Sequence, residues 1–252
     1  MSRIPLVLIV LLLLATVVIA QQSTGSAARI VVIKPKEGMQ RQFDEGYKRH
    51  LDWHRQNKDP WTWYGWQVIT GDRLGYFVDG TFGHHWDNFD RAVAPAADAA
   101  DNAVNVAPYG DFLSVAQFIL LPEVSRSRLL EDGSPSPFIE VLYYHLYPGT
   151  ESEFERILRK AHEAHGRVKP PRLYTWYKLV SGGNHPMYML MLPYSKLSDF
   201  RLSEKPFTAV LEEVFPQSES RALLESLRGT VRDVHSETFR YRADMSYFPP
   251  KN

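Results

Sequence analysis

The 252-residue chain has no cysteine. Disulfides, thiol nucleophiles, thiolate metal sites and anchoring through a lipidated cysteine are all excluded. It also lacks an excess of either charge, with 29 basic and 29 acidic side chains. No basic stripe exists to hold a phosphate backbone, so nucleic acid is not an expected partner. Neither G-x-G-x-x-G nor G-x-x-x-x-G-K occurs, and there is no G-x-S-x-G nucleophile elbow. Long apolar runs are confined to one place: Arg3 precedes an almost unbroken apolar stretch over residues 4–19, followed by Ala20. Val18 and Ala20 suit a cleavage site, so a signal peptide over residues 1–20 is expected, cut before Gln21. An uncleaved anchor is the alternative, since the run is near the lower limit for spanning a bilayer. Export to the periplasm or extracellular space follows from the leader, with no membrane contact once it is removed.

What is present is a repeat. Residues 29–90, shifted by 111 without a gap, fall on residues 140–201 with seven identities: Gly38/Gly149, Phe43/Phe154, His54/His165, Lys58/Lys169, Pro60/Pro171, Gly71/Gly182 and Phe89/Phe200. Chemistry keeps the same register at Ile30/Val141, Asp44/Glu155, Lys48/Arg159, Trp63/Tyr174, Trp66/Tyr177 and Val68/Leu179. A tandem duplication of one module is therefore expected.

Local patterns give each module its elements. A β-branched run at 28–34 reads as a strand, and Met39, Phe43, Tyr47, His50 and His54 recur at helical spacing until Pro60. Residues 62–70 and 73–82 flank Gly71 and Asp72 as a hairpin; 84–103 reads as helix interrupted near Pro95, with Trp86, Phe89 and Val93 on its apolar side; 111–121 is a strand. The second half repeats the order, with an 11-residue insertion in its last helical segment. The fold class is α+β: a signal peptide followed by two ferredoxin-like halves of split βαβ order. The expected boundaries are 1–20 leader, 21–28 flexible lead-in, 29–124 first half, 125–137 linker, 138–247 second half and 248–252 tail.

This double βαββαβ order, with the second-helix entries Trp86, Phe89 and Leu197, Phe200, resembles the dimeric alpha-beta barrel superfamily. That group includes antibiotic-biosynthesis monooxygenase-like, haem-degrading, chlorite dismutase-like and NIPSNAP-like proteins. The resemblance implies two four-stranded sheets closing into one barrel inside the chain. It also implies a pocket between a sheet and its first helix, with cofactor-independent or haem-linked oxygenation as the enzymatic alternative.

The candidate pocket residues are His54 and His165, which share one register position, together with His50 and the strand aromatics Trp63, Trp66, Tyr174 and Tyr177. An imidazole there can act as base, proton donor or axial ligand, or simply as a satisfied core residue. His50 and His54 lie four apart on one helical face, a spacing able to grip a metal. No glutamate follows His50, Ala161 stands at its place in the second half, and zinc wants a third ligand, so neither metal nor cofactor is expected, haem standing as the alternative. Gly65 offers a bulge that would let Trp63 and Trp66 face the same side. His84 and His85 are expected to face water. Ala161 and Ala164 make the second half the expected place for a cavity. The function these readings support is binding of a small apolar or aromatic molecule, with a fully packed structural barrel as the contrasting possibility.

Overall fold

The computed structural model describes residues 25–168, 172–200 and 207–250. The expected signal peptide, and Lys169, Pro171 and Arg201 of the repeat register, lie outside the described residues. Among the described residues no helix is long and apolar enough to cross a membrane.

The strands are β1 (Ala27–Pro35), β2 (Tyr64–Thr70), β3 (Phe77–His84), β4 (Gly110–Leu120), β5 (Phe138–Leu146), β6 (Thr175–Ser181), β7 (Met187–Tyr194) and β8 (Val231–Tyr241). The helices are α1 (Gln40–Gln56), α2 (Pro95–Asn105), α3 (Glu151–Arg167), α4 (Phe207–Val214) and α5 (Gln217–Thr230). The strands close into an antiparallel barrel in the order β1-β3-β2-β8-β5-β7-β6-β4. The first four strands thus lie as β4-β1-β3-β2 and the last four as β8-β5-β7-β6, joined through β2 with β8 and β4 with β6. Closure is made by short ladders: β4 meets β6 only over Gln117–Leu120 and β8 meets β2 only over Thr238–Tyr241, so the first parts of β4 and β8 are paired on one side.

Strand alternation sorts the side chains into two layers. Ile30, Val32, Tyr64, Trp66, Val68, Tyr177, Leu179 and Phe239 fill the barrel interior. Val31, Ile33, Trp63 and Phe77 point outward and meet Phe43, Tyr47 and Leu51 of α1. In the second half Phe154 and Leu158 of α3 pack on Tyr174, Trp176 and Tyr188.

Several expectations need correction. Trp63 faces α1 while Trp66 faces the interior, and Tyr174 and Tyr177 divide in the same way. No bulge occurs at Gly65; a Cβ there would collide with the Met245 carbonyl oxygen, so its hydrogen atom allows close passage of the C-terminal segment. That segment is no trailing end. Met245 and Tyr247 are buried in the core beneath α1, and Trp63 and Tyr247 form a backbone bridge. Nor is 125–137 a free linker: Leu130 joins the interior cluster, and Tyr64 Oη donates to its carbonyl at 2.6 Å. His84 is buried, against Thr81, because β3 runs two residues further than its hydrophobic pattern suggests. Finally, the room expected beside Ala164 is taken by Val210, Leu211 and Phe215 of the inserted region and Leu223 of α5.

Candidate functional site

Helix α1 begins after the turn at Gly38, whose φ of 73° suits glycine, and buries Phe43, Gly46, Tyr47, His50, Leu51 and His54. The last turn therefore delivers two imidazoles into the gap between α1, α2 and the sheet. His54 Nδ1 lies 2.7 Å from Asp59 Oδ2. The same carboxylate accepts from Trp63 Nε1 at 2.9 Å and, through Oδ1, from the Trp61 backbone N–H at 2.9 Å. Burial works against a charged Asp59, but these bonds, led by the one to His54, outweigh it and hold its pKa below the ordinary value. His50 Nδ1 lies 2.8 Å from Asp101 Oδ2. Burial pushes the His50 pKa down; the bond to Asp101 opposes this and the neighbouring His54 adds to it.

Each Nδ1 faces a carboxylate, which turns each Nε2 toward the gap. Those two Nε2 atoms are 3.1 Å apart. Asp98 Oδ1 sits 3.4 Å from the first and 3.8 Å from the second. Two imidazole nitrogens and a carboxylate oxygen thus come together, a set able to hold a cation. Asn102 Nδ2 lies 3.0 Å from His50 Nε2.

Asp98, Asp101, Asn102 and Asn105 all come from α2, spaced i, i+3, i+4 and i+7 on one face. Helix α2 has no buried residue of its own, and Val104 is exposed. Its polar stripe, not its apolar one, faces α1. Gly46 permits this approach, because a Cβ would collide with the Asn105 carbonyl oxygen. Arg49 Nε donates to Asn105 Oδ1 at 2.9 Å to complete the seam. Ala94, just before α2, has φ of 38°, a strained value for a residue with a side chain. Sequence reading assigned the apolar side of this region to Trp86, Phe89 and Val93 and missed Asp98. The signal was the stripe of Asp and Asn in an alanine helix.

Next to this cluster, on the sheet, Asp79 of β3 is fully buried. Tyr47 Oη donates to its Oδ2 at 3.0 Å, and burial pushes its pKa up to about 6. Arg29 of β1 extends beneath Trp61, Trp63 and Phe89, with its Cζ 5.1–5.6 Å from the three ring centres. Burial also pushes His84 down to about 4.

The remaining candidates are placed as follows. His50, His54 and Trp63 come together. Trp66 and Tyr177 lie inside the barrel and do not reach the site. His165 and Tyr174 pair in the second half, ring centres 5.8 Å apart. Burial, Arg172 and Arg126 all lower the His165 pKa. Tyr247, a residue not singled out in sequence, stacks 6.2 Å from His54 and donates to the Asp59 carbonyl at 2.8 Å.

No family model matches this chain, and no curated protein matches it in sequence. Solved structures do. A protein from Lactobacillus acidophilus NCFM described as a monooxygenase aligns with TM-score 0.53 and 9% identity, covering 89% of this chain and 97% of that one. A mutant chlorite dismutase from Candidatus Nitrospira defluvii gives TM-score 0.56 and 7% identity, covering 88% and 93%. An anthrone oxidase-like protein gives 0.51 and 10%, covering 90% and 94%. The chain therefore has the dimeric alpha-beta barrel fold that the sequence order resembled.

Proposed function

We propose that this is an exported metal-binding barrel, made by duplication of one module, in which His50, His54 and Asp98 of the first half hold a divalent transition-metal ion. The observation that carries the reading is the convergence of two Nε2 atoms and one carboxylate oxygen, 3.1, 3.4 and 3.8 Å apart. A point equidistant from three donors so spaced lies about 2.0 Å from each, the usual metal–ligand length for zinc with imidazole and carboxylate. Asp59 and Asp101 stand behind the two histidines, as the outer partners of metal-bound imidazoles commonly do. Two imidazoles and a carboxylate leave further positions open to water or a small molecule. Non-haem iron oxygenases share that donor set, and the fold-level likeness to proteins described as monooxygenases and as chlorite dismutases supports oxidative chemistry as the class to test first.

Haem, the cofactor implied by the resemblance, does not fit these residues. An axial imidazole needs an open apolar slot, whereas His54 Nε2 faces His50 and Asp98, and the gap beneath α3 is filled by Phe154, Leu158, Trp176 and Tyr188.

The test is elemental analysis of protein purified without chelator, followed by calorimetric titration of stripped protein with zinc, cobalt and ferrous iron. One equivalent is expected, with visible cobalt bands, and both should be lost in His54→Ala and Asp98→Ala. Folded protein that takes up no metal from any of these titrations refutes the proposal. Intact mass of the exported protein, expected to begin at Gln21, tests the leader.

A further inference from the structure

Beside the metal cluster lies a second set of groups that the cation does not use. Arg29 Nε and Asp79 Oδ1 are both buried with no hydrogen-bond partner. Burying such groups unmet is costly, and more so for a charge. Strand register sets Arg29 opposite Thr81 and Val31 opposite Asp79, so the two lie diagonally on the α1-facing side of the sheet, about 7–8 Å apart at their roots. Asp79 uses its other oxygen on Tyr47.

Trp61, Trp63 and Phe89 surround the guanidinium. Aromatic faces respond to its charge but do not accept its in-plane N–H groups as oxygens do. The Nε edge of an arginine is the one that grips a carboxylate with two parallel hydrogen bonds. We infer that Arg29, with Asp79 beside it and Trp61, Trp63 and Phe89 as walls, binds the carboxylate of a small aromatic or apolar acid. The carboxylate takes the Nε–H and Nη–H edge of Arg29, and the rings cover the apolar body. This charge requirement goes beyond the metal reading and does not depend on it.

The probe is benzoate, titrated calorimetrically into full-length chelator-treated protein, with benzamide as the uncharged isostere and acetate as the acid lacking a ring. Wild type is expected to bind one benzoate, with benzamide and acetate each at least about tenfold weaker. Arg29→Met should lose benzoate binding. Arg29→Lys, which keeps the charge without the fork, should bind at least about tenfold more weakly while melting as wild type does. No benzoate binding to the wild type, or equal binding by folded Arg29→Lys, overturns the inference. Because every measurement is made without metal, neither result bears on the cation.

Discussion

Asp79 offers a sharp test of how the first half is built. It is fully buried, its pKa is pushed up to about 6 by burial, and its ordinary value is 3.8. The sign follows from the direction of the shift. A carboxyl whose folded pKa is raised binds its proton more tightly in the folded chain, so this group favours folding at low pH and opposes it increasingly as pH rises from about 4 to about 6. Beyond that the cost is constant. The difference of roughly two pKa units corresponds to roughly 3 kcal/mol at pH 7 and above. Asp79→Asn keeps the acceptor for Tyr47 and cannot ionise. In chelator-treated protein the variant should match wild type near pH 4 and exceed it by roughly 3 kcal/mol at pH 7.5. For a chain of this size that is a rise in Tm of roughly 6–12 °C. Urea denaturation at half-unit intervals between pH 4 and 8 gives the curve. A stability difference that does not change across this interval means that Asp79 ionises as freely in the folded chain as in the unfolded one, and the picture of a dry polar gap fails.

Three further outcomes follow from the same geometry. Saturating the metal site at a hundredfold above its Kd should stabilise the chain by about 2.7 kcal/mol, a rise of roughly 5–11 °C in Tm by scanning calorimetry, and His54→Ala should abolish the response. Gly46→Ala should lower stability by roughly 1–3 kcal/mol despite alanine's better helix propensity, because the Asn105 carbonyl oxygen must move, and metal affinity should fall with Asp98 displaced; unchanged affinity would separate α2 from the site. Tyr247→Phe removes the bond to the Asp59 carbonyl and should cost about 1 kcal/mol in urea denaturation, with faster amide hydrogen exchange in the Asp59 loop.

The barrel was legible because its signals are periodic. Strand alternation and the spacing of Phe43, Tyr47, His50 and His54 marked the elements, and their order resembled a family whose two sheets close into one barrel. The site was only half legible. His50 and His54 announce themselves on one helix, yet Asp98 lies 44 positions after His54 on a helix whose buried side is polar. An apolar-face rule assigns such a helix backwards. Tyr247 was hidden for a different reason: its role depends on the chain crossing back from the second half beneath α1, and nothing local in residues 243–247 encodes that return. His84 was placed in solvent because histidine before a helix usually is, and only the length of β3 decides otherwise.

The two halves share a strand order but cover their sheets by different means. In the second half Val210, Leu211 and Phe215, with Leu223, bury Ile157 and Ala164, and Lys160 of α3 pairs with Glu219 of α5 at 2.8 Å. A large apolar side chain, fully buried, contributes roughly 1.5–3 kcal/mol, so apolar area carries most of the attachment of this helical layer. The first half forgoes this. Helix α2 buries no residue and rests on carboxylates, amides and imidazoles, above an arginine and an aspartate with unmet polar atoms. A layer under selection for stability alone would have acquired leucines on the inner face of α2, as the other half has acquired them. Retaining a costly polar seam where an apolar one was available in the same fold is what a site demands, since ligands must be met by groups the protein does not itself satisfy. It also makes α2 the element whose attachment depends on what occupies the site. Metal loading should therefore slow amide hydrogen exchange in residues 95–105 far more than in α3, and equal protection of both helices would show that the polar seam is merely structural.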